Sequence, residues 1–268
     1  MLTICQFNPG SSRQRGFTLI ELMVGIVVGL IVLSSALAIY LMGVRGSTHT
    51  VRAAKLNQDM RMGMTLMVDD IRRAGFWGGF VQGNANPFTA RTGSPITDIH
   101  ILNFNGVANA CILYSYDAIY QAGNTEGIPD QTGDPGNDFF GFRLGANGEL
   151  QMRQGGTTTN NCTDGSWETI TNPNTTEIQT LVFDTVGSQC LNVTAPAMPD
   201  WDVITDNTAV PACADTTNGD YIPPSPGDRL IELRQIRIRM TARHRNDLDM
   251  RASLEQSVKV RNDRIFTF

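Results

Sequence analysis

Gly16-Phe17-Thr18-Leu19-Ile20-Glu21 opens the stretch on which the reading of the chain turns. It leads straight into Leu22–Val44, 23 residues without a charged side chain. About 20 apolar residues suffice to cross a bilayer, so the run reads as a membrane-spanning helix. The competing reading is a secretory signal peptide, whose apolar region covers roughly 7–15 residues and ends at a small-residue cleavage site. Here the run is longer, and an acid stands at its beginning. An ionised carboxylate at the head of a membrane helix is costly, which marks Glu21 as functional, with a cation at similar depth as its partner. The plainer alternative is an anchor whose Glu21 snorkels to the interface. Arg13 and Arg15 precede the run and place the amino terminus in the cytoplasm and the rest of the chain outside it. Arg45, Arg52 and Lys55 follow it, so the charge bias is modest.

The 268 residues suffice for one sizeable core in addition to a membrane segment. The formal net charge is −5, and the first 16 residues hold two arginines and no acid, so the remainder is more acidic still. That balance argues against strong nonspecific binding to nucleic acid or anionic lipid. Cys5 lies in the leading segment, and Cys111, Cys162, Cys190 and Cys213 lie beyond the apolar run. An even count in an exported domain points to two disulfides, with three pairings open. Cys111–Cys162 and Cys190–Cys213 are the pairs we expect. The second would close a loop of about 22 residues and lower the entropy of the unfolded chain by the order of 3 kcal/mol. There is no CxxC, and His49, His100 and His244 are scattered, which argues against zinc. No metal or other cofactor is expected.

Residues 17–75 read as one long helix without a proline, roughly 85–90 Å at 1.5 Å per residue. Past the apolar run, Ala53, Leu56, Met60, Met64, Met67, Ile71 and Ala74 recur at helical spacing and give an amphipathic stripe. The methionines at 60, 62, 64 and 67 are adaptable packing rather than a ligand site. Gly75, Gly78 and Gly79 end the helix. Beyond Gly79 the pattern turns to strands: Ile99–Phe104, Cys111–Tyr116, a hairpin from Phe139 to Arg153 around Gly145-Ala146-Asn147-Gly148, and Ile178–Thr185. Ile236, Ile238, Met240 and Ala242 alternate with Arg237, Arg239, Thr241 and Arg243, a strand with one buried and one wet face. Val258–Arg261 repeats the pattern and should pair with it antiparallel. Pro196, Pro199, Pro211, Pro223, Pro224 and Pro226 mark a long surface loop over 191–228, pinned by Cys190–Cys213.

Gly16 followed by Phe17-Thr18-Leu19-Ile20-Glu21-Leu22-Met23-Val24 resembles the processing signal of type IV prepilins and pseudopilins. The resemblance implies the type IV pilin fold, α+β, with a long amino-terminal helix packed on a carboxy-terminal antiparallel β-sheet domain. It implies a leader of residues 1–16 removed after Gly16 by a prepilin peptidase on the cytoplasmic face, and N-methylation of Phe17. The divisions would then be 17–45 for the membrane or filament-core half of the helix, 46–78 for its amphipathic half, and 79–268 for a periplasmic β-rich domain. Glu21 would meet the new α-amino group of Phe17, in its own chain or a neighbour, and so set the register of a joining subunit. At an effective dielectric near 20 the attraction is about 4 kcal/mol at 4 Å. Gly25 and Gly29, one turn apart, have the spacing that lets membrane helices approach closely.

Asp69-Asp70-Ile71-Arg72-Arg73-Ala74-Gly75-Phe76-Trp77-Gly78, the arginine-rich strand and Val258-Lys259-Val260-Arg261-Asn262 are similar to PilW-type minor pilins. Membership would imply a non-catalytic subunit that primes or caps a type IV pilus, first in the inner membrane and then at the cell surface. Its partners would be other minor pilins, the major pilin, the inner-membrane assembly platform and a tip adhesin. Many major pilins carry a helix-kinking proline in the apolar helix. The corresponding residue here is Ala38, which weighs against a major-subunit role. The alternatives are the large minor pseudopilin of a type II secretion system, and a membrane-tethered binding or adhesion module. Arg229, Arg234, Arg237, Arg239, Arg243 and Arg245 could contact phosphates, but alternation along a strand favours a solvated face partly balanced by Glu232 and Asp247. Asp130, Asp134, Asn137 and Asp138 could hold calcium, but their spacing is not that of an EF-hand and these are common turn residues. No nucleotide, nucleophile-elbow or metalloprotease fingerprint occurs, so catalysis has no candidate residues.

Overall fold

The computed structural model describes residues 16–78, 85–118, 127–130, 137–194, 201–203, 213 and 225–268. Cys5, Arg13, Arg15, Asp134, Pro196, Pro199, Pro211, Pro223 and Pro224, on which several expectations rest, lie outside the described residues. The chain divides into two units, Met1–Val51 and Arg52–Phe268.

A single helix, α1 (Leu19–Ile71), runs through the boundary. Thr18 caps it: its carbonyl accepts the Leu22 N–H at 3.2 Å and its Oγ1 accepts the Glu21 N–H at 3.3 Å. In the first unit every described residue is exposed, including Leu19, Ile31, Leu33 and Ile39. Apolar surface of this extent requires lipid or protein against it, and the helix is long and apolar enough to cross a membrane. Its few polar side chains turn back on their own backbone. Ser34 and Ser35 Oγ donate to the Ile31 carbonyl at 2.9 and 2.6 Å, which removes the penalty of an unpaired hydroxyl in hydrocarbon.

In the second unit the helix buries Leu56, Met60, Met64, Met67 and Ile71, while Met62 faces outward. Gly63 lies on the buried face, where a Cβ would stand 2.8 Å from Leu150 Cδ2. The missing side chain sets how closely the helix approaches the sheet. The helix ends at Ile71 rather than at residue 75. Arg73 and Ala74 donate to the carbonyls three residues back, Asp70 and Ile71, a tightened last turn. Gly75 then takes φ +73°, a left-handed conformation that glycine adopts without a Cβ penalty.

The helix packs on antiparallel sheets. The first is a five-stranded meander of β1 (His100–Phe104), β2 (Val107–Ser115), β3 (Phe139–Leu144), β4 (Leu150–Gly155) and β5 (Ser166–Thr169). The second has β6 (Thr176–Asp184), β10 (Gln235–His244) and β11 (Asp247–Lys259), in the order β11-β10-β6. The third has β7 (Gln189–Asn192), β8 (Trp201–Val203), β9 (Arg229–Leu233) and β12 (Arg264–Thr267), in the order β12-β9-β7-β8. This α+β layout is that of the pilin fold. The hairpin around 145–148 forms, and Ile236 pairs with Val258 in an antiparallel ladder. Ile236, Ile238, Met240 and Ala242 are buried together with Ile112, Tyr114, Phe142, Leu150, Ile178 and Phe183 against the helix stripe. The Ile178 N–H donates to the Gly148 carbonyl at 2.7 Å and ties the second sheet to the β3–β4 turn.

Cys111 on β2 is bonded to Cys162, with Cα atoms 6.5 Å apart, and Cys190 on β7 to Cys213, with Cα atoms 5.0 Å apart. The first joins the centre of the meander to the loop after β4. The second lies in a small separate cluster with Leu230.

Candidate functional site at the two ends of the helix

At the amino end, Thr18-x-x-Glu21 has the spacing of a capping box, in which an N-cap hydroxyl and the acid of the first turn support one another. The Thr18 hydroxyl donates to Glu21 Oε2 at 3.4 Å, a long bond. The Glu21 carboxylate is therefore held at the helix start while staying open to solvent. Phe17 beside it is 83% exposed. A carboxylate here also faces the positive end of the helix dipole, worth about 0.3–1 kcal/mol at an exposed site. Around Gly25 and Gly29 nothing lies within 4 Å of where a Cβ would be. The motif read from the sequence thus forms one bare surface: an exposed aromatic, an exposed acid and an apolar flank with two gaps at one-turn spacing.

At the carboxyl end the segment 69–78 closes on the sheets. Asp70 is buried on the last turn of α1. Its Oδ2 accepts the Tyr114 hydroxyl at 2.5 Å and its Oδ1 the Tyr116 hydroxyl at 2.8 Å, and Arg73 pairs with it from the next turn. Arg73 also lies over the Tyr116 ring, 4.9 Å from its centroid. Burial, and then the Asp70 charge, push both phenols well above their ordinary range, so they stay protonated donors. The backbone that follows is held just as fully. The Gly75 N–H donates to the Ser115 carbonyl at 2.7 Å, and the Asp117 N–H to the Phe76 carbonyl at 3.0 Å. The Arg261 N–H donates to the Arg72 carbonyl at 3.0 Å, and Asn262 Nδ2 to the Arg73 and Ala74 carbonyls at 3.2 Å. These satisfy carbonyls that a helix leaves orphaned at its end. The helix-end segment and the segment 258–262, separate in sequence, are thus one clamp. Both segments stood out in the sequence by resemblance alone, which did not show that they meet.

β10 alternates half-exposed and buried positions as expected, but the acids that meet its arginines extend beyond Glu232 and Asp247. Arg237 and Arg239 reach the fully buried Asp184 at 3.0 and 3.3 Å, and Arg243 pairs with Glu177 at 2.9 Å. The acids come from the neighbouring strand β6, which the order of the sequence does not reveal. Arg234 is buried and belongs to a charge knot with Asp98, Arg91, Glu232 and Arg264. Burial works to raise the Asp98 carboxyl, but the three guanidiniums outweigh it and hold it below its ordinary value. With its charges matched internally, the cluster offers few cations to phosphates. Arg153 is buried on β4 and gathers the Gly155 and Thr158 carbonyls and Asp164, which ties down the loop after β4. Of the calcium candidates, Asp138 accepts the Ala118 and Asp130 N–H groups at 3.0 and 2.9 Å, and Asn137 Oδ1 accepts the Phe139 N–H at 2.8 Å. These oxygens serve turns. Among the described residues no group of three His, Cys, Asp or Glu could hold a metal ion.

Comparison with known families adds two matches. A family model described as prepilin peptidase-dependent protein B matches residues 49–260. A model described as the prokaryotic N-terminal methylation motif matches residues 11–37. No curated protein and no solved structure matches the chain.

Two predictions follow from the geometry on the second unit. Tyr114→Phe removes one donor from a buried carboxylate and should lower unfolding stability by roughly 1–3 kcal/mol, read by urea denaturation; an unchanged midpoint would contradict the clamp. The second concerns pH. Burial, reinforced by the charges of Asp117 and Asp130, pushes the Asp138 carboxyl up to about 6. Its contribution favours the fold below the ordinary value of 3.8 and is lost as pH rises through about 6. Asp98 is depressed, so its contribution is present above 3.8 and is lost as pH falls below that. Stability should therefore peak at about pH 4, and Asp138→Asn should flatten the decline from about pH 4 to 6.

Proposed function

The chain belongs to the prepilin peptidase-dependent protein B family, and on that premise we propose that it is a minor pilin that primes or caps a type IV pilus. The observation that carries the reading is the joining of the 16–21 motif to a helix whose uncharged run, residues 22–44, is exposed. Such a helix suits a bilayer first and the core of a filament afterwards, because both present apolar surroundings to the same residues. In this reading the role is structural, not catalytic.

Prepilin peptidase cuts after Gly16, and Phe17 becomes the methylated amino terminus. The new α-amino group lies four residues from Glu21, whose carboxylate is capped but exposed. Pairing with the amine of a neighbouring subunit neutralises two charges where water is scarce. It thereby selects one axial register, since an unpaired buried charge is strongly penalised. Gly25 and Gly29 offer the close approach that helix packing in apolar surroundings uses. The amino terminus is cytoplasmic and the β-rich domain periplasmic. The two disulfides suit that oxidising compartment. The partners are other minor pilins, the major pilin and the assembly platform.

The tests separate processing from assembly. Glu21→Val should leave membrane insertion intact and lower incorporation into filaments about tenfold or more, since losing about 1.4 kcal/mol is already a factor of ten. Incorporation at the normal level would refute the pairing role. With Gly16→Asp, mass spectrometry should find the chain with its leader retained. A chain still beginning at Phe17 would refute cleavage by the peptidase.

A further inference from the structure

β11 is the longest strand of the fold and lies at the edge of its sheet, paired with β10 alone among the described residues. Its ladder is regular from Arg251 opposite Arg243 to Lys259 opposite Gln235, and the register shifts beyond Arg243, where His244 stands opposite Asp247. The phase of the hydrogen bonds follows from the next rung, where the Val260 N–H donates to the Arg234 carbonyl at 2.9 Å. Antiparallel strands alternate bonded and non-bonded pairs, so Ala252, Leu254, Gln256 and Val258 turn their backbone groups to β10. Arg251, Ser253, Glu255, Ser257 and Lys259 turn theirs away from the sheet, and all five residues are exposed. An edge of this length is a template for a further strand.

In charge, the strand is its own complement. Asp247–Lys259 has 13 residues, and its middle is Ser253. A second copy laid antiparallel along the whole strand therefore sets Ser253 against Ser253. In that register each copy's Arg251 meets the other's Glu255. The ends bring Asp247 to Lys259 and Asp249 to Ser257, and nowhere do like charges meet. The register shift bends the strand toward Asp247, whereas Arg251 and Glu255 both lie on the regular ladder. Neighbouring registers fare worse. Centring on Glu255 sets Glu255 against itself and Arg251 against Lys259. Centring on Ser257 keeps Glu255 against Lys259 but shortens the overlap to residues 255–259. Nor does the fold itself use these charges. Arg251 stands opposite another cation, Arg243, and its guanidinium donates to the Leu248 carbonyl at 3.3 Å. Glu255 stands opposite Arg239, which turns instead to Asp184 at 3.3 Å.

We infer that the β11 edge binds a second copy of this chain, strand to antiparallel strand, about a two-fold axis through Ser253. The contact is isologous, the same patch on both copies. Two three-stranded sheets become one of six strands, β6-β10-β11 continuing into β11-β10-β6 of the copy. Thr180, Thr241 and Ser253 stand in one row across the sheet, with the two threonine hydroxyls 2.6 Å apart. The axis therefore crosses a row of hydroxyls, with no charge brought against its like. Backbone hydrogen bonds hold the copies together, and the Arg251–Glu255 pairs fix the register. The inference stands apart from the pilus reading, because it rests on the sheet alone.

The test uses the full-length Cys5→Ser chain in detergent, whose other four cysteines are paired. One cysteine is then added at a time: Ser253→Cys, Glu255→Cys or Ser257→Cys. Only the residue on the axis faces itself, at about 5.5 Å between Cα atoms, within reach of a disulfide. Mild oxidation should cross-link the Ser253→Cys chain into a dimer about tenfold or more faster than the other two. Equal rates at all three positions, or a faster rate at 255 or 257, would overturn the register. The charges are tested by analytical ultracentrifugation. Arg251→Glu and Glu255→Arg each set like charges at both contacts, and each should raise the dimer Kd about tenfold or more. Mixing the two variants restores opposite charges at both contacts, so they should associate with each other as the unsubstituted chain does with itself. Dimers that survive undiminished in each variant alone would come from elsewhere, such as the apolar helix, and would overturn the edge as the contact. A mixture that stays monomeric, or an unsubstituted chain that is monomeric up to millimolar concentration, would do the same.

Discussion

A carboxylate on the last turn of α1 governs how the second unit is put together. Asp70 lies in a hydrophobic setting, where an ionised group is stable only if its oxygens are fully engaged. Tyr114 from β2, Tyr116 just past its end and Arg73 from the helix end meet that requirement. The apolar stripe from Leu56 to Ile71 is non-directional and rich in methionine, so by itself it would tolerate small slides and rotations of the helix. Two hydroxyl bonds to one carboxylate do not tolerate them. The hydrophobic face supplies most of the free energy of docking the helix, and Asp70 selects one position among those that face would allow. Gly63 narrows the choice further, since the helix can pass Leu150 so closely only where it lacks a side chain.

Glu21 and Asp70 make an instructive pair, since both sit on the same helix near an end. Asp70 has spent its bonding capacity within the chain. Glu21 has one long bond from Thr18 and an otherwise open carboxylate. A group held in a fixed place but left unsatisfied is suited to meet something that arrives later. The same contrast holds along the helix, whose second half finds its apolar partners in the sheets while the described residues of its first half are exposed. The physical demand of the first unit is external, and that is what makes the helix an assembly element rather than a core helix.

How much of this was legible in the sequence depends on whether the cause is local. The apolar run, the heptad-like stripe from Ala53 to Ala74, the turn at 145–148 and the alternation at Ile236–Arg243 are patterns of neighbours, and each became the expected element. The capping box at Thr18 is equally local and could have been read from its spacing. Short strands such as β7, β9 and β12 carry too few residues for a period to show, and they exist because the sheet pairs them. The further partners of the arginines were hidden for the same reason. Their partners, Asp184, Glu177 and Asp98, lie tens of residues away or more, and only sheet order brings them within 4 Å. Asp70 shows the limit most clearly: in the sequence it is one of two adjacent acids at the helix end, and the two tyrosines that justify it, on β2 and just past it, lie more than forty residues later.

The unmet demands of the molecule differ in how selective they are. The first-unit helix asks for apolar surroundings, and any bilayer or bundle of similar helices will do. The β11 edge asks for a backbone in extended form, and sheet edges in general provide one, so selectivity there must come from side chains. Arg251, Glu255 and Lys259 place alternating charges on every second outward residue of that edge.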